Sequence, residues 1–319
     1  MAEQSSVYQY SEIFYSAQGE GHFTGCPTAW LRFFTCNLQC NGFGQEDPTD
    51  PRTYDLPYMN VNVDDYKTLE ELPVFEKGCD SSYSWSKKFK HLQRSGTADE
   101  IAQRLLDVIP FDDFSNKDVM ANQDIHLCFT GGEPMMKRSQ QAVREILMSL
   151  RHYAKQPNNI TFETNGTQPV TTEFIEHFNN KGLFPGTIFW SISPKLFTVS
   201  GEKNEKAIKP NVLKTYRMLS KYGQLKFVMT ADPRCWEELD RVLPMFRNAG
   251  IDYPVWIMPV GATVEDQYKD AGEVANMALA RGYNVSARVH AYLWGNAIGV
   301  GDNISYKGSS HKVRRTRQS

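Results

Sequence analysis

The stretch CNLQCNGFG, Cys36 to Gly44, follows a run of β-forming residues, TAWLRFF (28–34), and sets two cysteines with three residues between them just beyond it. Thiols at that spacing on a loop fit metal ligation. A third ligand after two further intervening residues would complete a compact three-thiolate loop, but that position holds Phe43. Two thiolates and a phenyl ring cannot close such a site. Either the site is lost, or its third ligand lies elsewhere in the chain.

The chain beyond Phe43 is a long polar stretch, residues 41–78, with nine acidic residues against three basic ones. Loops of that length without structure of their own are usually functional or disordered. The next cysteine after it is Cys79, in GCDSSYSWS. Cys26 is a rival by proximity, although it precedes the strand rather than following it. A structural zinc site, or unconnected cysteines, is the alternative reading of the pair. Six cysteines in 319 residues are too few for a disulfide scaffold. Cys128, in the apolar run IHLCF, and Cys235, in a helical segment, read as small buried hydrophobes.

Outward from this loop, β-rich runs alternate with segments of helical periodicity. The predicted strands are 28–34, 125–130, 159–164, 187–193, 224–229 and 255–260, with NVSARVHAYLW (284–294) as one more candidate. Helices are expected near 97–109, 137–154, 170–180, 207–222, 233–249 and 263–282. Six βα units predict an α/β fold, an open or partial β/α barrel with its chemistry at the carboxyl ends of the strands. We read residues 1–319 as one domain, with 41–78 as an insertion and 305–319 as a basic, solvated tail. The net charge of -2 gives no global attraction to nucleic acid or anionic membrane. No signal-peptide pattern and no apolar run of about 18 residues is present, so a cytoplasmic chain is expected.

At Cys79 the pattern becomes specific. The string Cys79-Asp80-Ser81-x-Tyr83-x-Trp85 resembles the end of the cluster motif of the 7-carboxy-7-deazaguanine synthases, radical-SAM enzymes of deazapurine (queuosine and archaeosine) biosynthesis, with Ser for their Thr. The resemblance implies a cluster motif split between its second and third ligands, with Cys36, Cys40 and Cys79 holding three irons of a [4Fe–4S] cluster. The fourth iron would take S-adenosylmethionine, whose reductive cleavage gives a 5′-deoxyadenosyl radical. A split is physically acceptable because loop closure grows costlier by only about 0.6 kcal/mol per doubling of length. In the family the Thr that Ser81 replaces ligates Mg2+, and a serine hydroxyl is also a hard oxygen ligand.

Further strings carry the same resemblance. FTGGEP (129–134) follows a predicted strand; by likeness Gly132 and Glu133 meet the methionyl amine of the cofactor and Thr130 faces the substrate. ETNGT (163–167) and SISPKL (191–196) follow the next two strands, and imply cofactor contacts from Glu163, Asn165, Ser193 and Lys195. QGEG (18–21) is similar to the family's substrate motif. Gln18 and Glu20 present an amide and a carboxylate to the edge of a pterin, and Arg32 supplies a fork for its carboxylate. RVHAYLWGN (288–296) resembles a C-terminal family string and places His290 near the substrate. Each string has a plain alternative: a turn at Gly-Gly-Glu-Pro or Asn-Gly, a surface cation at Lys195, a structural ion pair at Arg32, a core histidine at His290.

The resemblance implies conversion of 6-carboxy-5,6,7,8-tetrahydropterin to 7-carboxy-7-deazaguanine with loss of ammonia. It also implies a small-molecule pterin substrate, a flavodoxin-like or other reductase, a homodimer, and no direct binding of nucleic acid or membrane. Two other readings compete: an activase of a glycyl-radical enzyme, and a binding or regulatory protein on a disabled radical-SAM scaffold.

Overall fold

Along TAWLRFF, Leu31 and Phe33 are fully buried while Arg32 between them points to the opposite face, as the period of two in a strand requires. That alternation repeats from strand to strand and builds the molecule. The computed structural model describes residues 5–115, 124–296 and 298. Its sheet comprises β1 (Val7–Ala17), β2 (Pro27–Phe33), β3 (Arg94–Thr97), β4 (His126–Gly131), β5 (Asn159–Thr164), β6 (Thr187–Ile192), β7 (Gly223–Met229), β8 (Val255–Pro259) and β9 (Asn284–Val285). Their order is β3-β1-β2-β4-β5-β6-β7-β8-β9, an open sheet. The run from β2 to β9 is parallel, while β1 pairs antiparallel with both β2 and β3.

The face toward the helices is held by an aromatic ladder. Register puts Phe129 beside Phe162 and Phe162 beside Trp190. Their rings stack at 5.4 and 5.0 Å, and Tyr216 closes the row on Trp190 at 4.3 Å. Such pairs add about 0.5–1.5 kcal/mol each beyond the area they bury. The helices Ala98–Val108, Lys137–His152, Thr172–Asn179, Pro210–Leu219, Pro233–Asn248 and Val264–Leu279 cover this face. Local chemistry fixes four of the starts: Thr97 and Glu100 form a capping box, and Thr171, Asp232 and Thr263 accept backbone N–H groups at the starts of Thr172–Asn179, Pro233–Asn248 and Val264–Leu279.

Three expectations change. VYQYSEIFYSA is an eleven-residue strand that the motif reading overlooked, and with the short β3 it adds an antiparallel edge to the βα units. The segment 284–294 is not a continuous strand: pairing stops after Val285, and Val289–Trp294 turns helical. Nor is the 41–78 stretch a polar loop without a core. Tyr58, Leu69, Leu72 and Phe75 are buried together against Tyr83 and Phe89, forming a small apolar cluster of their own. Its ends meet at a neck, where the Gly78 N–H donates to the Phe43 carbonyl at 2.7 Å. Gly78 has a φ of +78°, a conformation that glycine adopts without steric cost. Within the loop, Gln45 bonds the Asn41 and Asp55 carbonyls and the Asp55 N–H. The expected tail 305–319 lies outside the described residues, and no helix among them is long and apolar enough to cross a membrane.

Phe75 is 1% exposed at the centre of the insertion cluster. Phe75→Ala is expected to cost about 3 kcal/mol in urea denaturation; an unchanged midpoint would mean that the insertion carries no weight in folding.

Candidate active site

The other face of the sheet, its lumen side, carries the polar members of the same alternation. Register aligns Arg32 of β2 with Thr130 of β4, and Glu163 of β5 with Ser191 of β6. Lys226 of β7 lies between the buried Leu225 and Phe227, its head on the lumen side. These side chains line a cavity of about 320 Å³ over the sheet. Thr130 donates to Glu163 at 3.1 Å and Gln18 donates to its other oxygen at 3.2 Å.

Above the strand ends, Cys36, Cys40 and Cys79 all line this cavity, and Cys26 does not. The loop 36–40 is placed by two backbone contacts and a carboxylate. Gly132 N–H donates to the Phe33 carbonyl at 3.2 Å and Glu133 N–H to the Thr35 carbonyl at 2.8 Å. A side chain at Gly132 would collide with the Thr35 carbonyl, so the second glycine is what lets these strand ends close. Glu202, 8% exposed, accepts from the Gln39 and Cys40 N–H groups at 2.6 and 2.9 Å. Thr35 and Cys40, neither a glycine, adopt positive φ of 100° and 53°, local strain of the kind that concentrates at functional loops. Burial pushes the Cys36 thiol up to about 12. Among the described residues no group of three or more His, Cys, Asp or Glu is gathered tightly enough for one shared metal ion.

The segment 18–22 crosses the lumen away from the cysteines. Gly21 N–H bonds Ser286 Oγ at 2.7 Å, His22 N–H bonds Gln224 at 2.9 Å, and Val289 N–H bonds the Gly19 carbonyl at 2.9 Å. Glu20 pairs with Lys226, and with Arg288 Nε at 2.9 Å. Arg288 also reaches Asp80 at 2.5 Å and the Gly261 carbonyl at 3.0 Å. Burial opposes ionisation of Glu20, but Lys226, Arg288 and His290 outweigh it and hold the carboxyl far below the usual range. The same contest at Asp80, won by Arg288, leaves it at about 2. His290 lies 3.4 Å from Arg288; burial first, then that guanidinium, lowers it to about 4.

Gln18, Glu20, Arg32, Thr130, Gly132, Glu163, Asn165, Ser193, Lys195, His290 and Ser81 all line the cavity with the three cysteines. Several are committed more deeply than the sequence indicated. Arg32 Nε pairs with Glu12 at 2.7 Å, and Tyr83 donates to the same carboxylate at 2.8 Å. Arg32 Nη1 lies 3.4 Å from Ser81 Oγ, itself 3.1 Å from Asp80. Asn165 Nδ2 bonds Asn37 at 3.1 Å, and Lys195 bonds Ser193 at 2.9 Å with its ammonium 5.6 Å above the Phe43 ring. Glu133 stands behind the wall: its carboxylate accepts Thr164 Oγ1, Asn165 N and Met135 N at 2.6, 2.8 and 2.9 Å. Its burial is complete and lifts it to about 6. Sequence reasoning missed Glu12, Asp80, Glu202, Lys226 and Arg288 as site-forming residues. A lysine inside the apolar strand QLKFVM was a usable signal for Lys226, whereas nothing local marked Glu202.

His290 binds its proton less readily when folded, so its contribution to stability is whole above about 6.5 and is lost as pH falls toward about 4. Relative to a His290→Gln variant, the wild type should lose about 1–2 kcal/mol across that window in thermal melts, allowing for partial exposure. Glu202→Ala strips two backbone N–H groups of a charged acceptor, and should cost about 2 kcal/mol in urea denaturation.

No family model matches the chain. Curated relatives do. A 7-carboxy-7-deazaguanine synthase of Halobacterium salinarum is 26% identical over 308 residues, covering 90% of each chain. A synthase of the same name from Pyrobaculum aerophilum is 24% identical over 291 residues, 90% of this chain and 95% of the relative. One from Thermoplasma acidophilum is 23% identical over 292 residues, 91% and 99%. Among solved structures, the crystal structure of QueE from Escherichia coli superposes with a TM-score of 0.49 at 17% identity, over 89% of this chain and 95% of that one. Matches of one name therefore span about nine tenths of the chain, which over that length is similar to the 7-carboxy-7-deazaguanine synthases.

Proposed function

We propose that the chain converts 6-carboxy-5,6,7,8-tetrahydropterin to 7-carboxy-7-deazaguanine with loss of ammonia. The observation that carries this reading is the convergence of Cys36, Cys40 and Cys79 on one cavity with the polar lumen row, across an insertion of 38 residues. The donor set fits a [4Fe–4S] cluster held by three thiolates. Such a cluster spreads its cysteines over separate irons, which accords with three cysteines on one wall that are not packed around a single ion. The buried indole N–H of Trp85, on the same wall, makes no hydrogen bond within the described residues, as suits a place where an acceptor is added.

A bound cluster with S-adenosylmethionine supplies hydrogen-atom abstraction at C6 of the pterin. The chain's own residues bind and orient. The Gly132 backbone, Asn165 and the Ser193–Lys195 pair lie on the cysteine side of the cavity and suit the amino acid and ribose of the cofactor. Glu133 is assigned the task of bracing the Gly-Gly turn from behind, since its buried carboxylate already accepts three protein donors. Arg32 keeps an Nη edge for the substrate carboxylate while Glu12 fixes its Nε. Ser81, with Asp80 beside it, would offer hard oxygen ligands to Mg2+. Glu20 retains lone pairs for a pterin N–H beyond those shared with Lys226 and Arg288, and Gln18 and Thr130 meet the ring edge. His290, neutral at pH 7, serves as a hydrogen-bond partner rather than a cation. By family likeness we add a reductase as electron donor, a homodimer and a cytoplasmic setting.

Anaerobically reconstituted protein should contain about four irons per chain. With the pterin, S-adenosylmethionine and a reductant it should release 7-carboxy-7-deazaguanine, detected by mass spectrometry. Cys79→Ala should lose the cluster while Cys26→Ala keeps it. Zinc in place of iron, or a cluster retained in Cys79→Ala, would refute the ligand assignment; a cluster-loaded enzyme without product would refute the reaction.

A further inference from the structure

The apolar cluster of the insertion is built against the segment that follows Cys79, and one side chain joins the two. Trp85 packs edge to face against Tyr58 of the insertion at 5.5 Å, and Tyr58 in turn meets Phe75 at 6.4 Å. The backbone around Trp85 is fixed independently: its N–H bonds the Ser82 carbonyl at 3.2 Å, and the neighbouring Ser84 carbonyl accepts from Thr35 N–H at 2.8 Å. Held in this way, the indole N–H is buried without a hydrogen-bond partner among the described residues. The group it faces is the Cys79 sulfur, and both residues line the cavity. A protonated thiol is a weak acceptor for that donor, and a metal-ligating thiolate at the same place would be a stronger one.

We propose that Trp85 is a positioning residue that donates its indole N–H to the Cys79 sulfur when the cluster is bound, and that the insertion, through Tyr58, holds the ring in that orientation and thereby sets the cluster's reduction potential. The inference rests on the functional reading above. A hydrogen bond to a ligating thiolate withdraws charge from the sulfur and favours the more negative, reduced cluster, which raises the potential. The insertion is then a support for an outer contact of the metal site rather than a spacer between two ligands.

The test is a redox titration of the anaerobically reconstituted full chain without substrate, followed by electron paramagnetic resonance of the reduced cluster. Trp85→Phe should lower the potential, so that at fixed poise the ratio of reduced to oxidised cluster falls threefold to tenfold; tenfold corresponds to 59 mV for one electron. Tyr58→Leu should move it in the same direction by less. Replacing the Trp85 indole by benzothiophene keeps the shape and removes the N–H, so it should reproduce the Trp85→Phe shift even where phenylalanine disturbs packing. In the wild type the reduced cluster should show a coupled proton that exchanges in D2O and is absent from both replacements. Normal cluster loading with wild-type potential and an unchanged exchangeable coupling in the benzothiophene protein would overturn the inference while leaving the proposed function intact. A wild-type chain that takes up no [4Fe–4S] cluster would overturn both.

Discussion

The site depends on one buried carboxylate that touches nothing in the cavity. Glu133 follows β4, its backbone N–H bonds the loop after β2, and its side chain bonds the end of β5 twice. Three strand ends are therefore referred to a single group. Cys36 hangs from the first, Gly132 from the second and Asn165 from the third. Parallel strands have no hairpin to fix their relative height, and a buried carboxylate bound by three donors supplies that reference. Its raised pKa records the expense of keeping it dry, and the hydrogen bonds are what make its burial tolerable.

A second, charged tie holds the cavity from the other side. Arg288 stands on the chain after β9 and grips Asp80, the residue after Cys79, and Glu20, from the segment that closes the lumen. Lys226 completes the pairing at Glu20. Ions so far from water persist only where every charge has a partner, and here the pairings join chain segments more than two hundred residues apart. The cysteine side and the QGEG side of one cavity thus share a cation.

The parallel strands and their helices were legible because the apolar runs were clean and their caps, such as Thr97 with Glu100, follow local rules. The first strand was not, since VYQYSEIFYSA flows into the Gln-Gly-Glu-Gly motif and its partners, β2 and β3, are reached only through the folded sheet. Helical structure at Val289–Trp294 was misread for a related reason: the residues suit either state, and the end of pairing at Val285 decided between them. In the site, residues carried by motifs were found and those carried by topology were not. Glu202 caps the cysteine loop from 162 residues away, and Arg288 was quoted within a string without a role because its partners lie at Glu20 and Asp80. The insertion was misjudged by its charge. Its nine carboxylates concealed the spacing of Tyr58, Leu69, Leu72 and Phe75, too irregular for a helix or a strand.

The neck of that insertion has an architectural consequence. Because Phe43 and Gly78 share a hydrogen bond, the scaffold meets the whole segment as a single short crosspiece, and the distance from Cys40 to Cys79 is indifferent to how much chain is looped out beyond it. Length is thereby freed from geometry. A chain built on such a junction can enlarge, shrink or exchange the appendage without disturbing the spacing of Cys40 and Cys79, and the quantity left to vary is which aromatic ring the appendage leans against the cysteine wall.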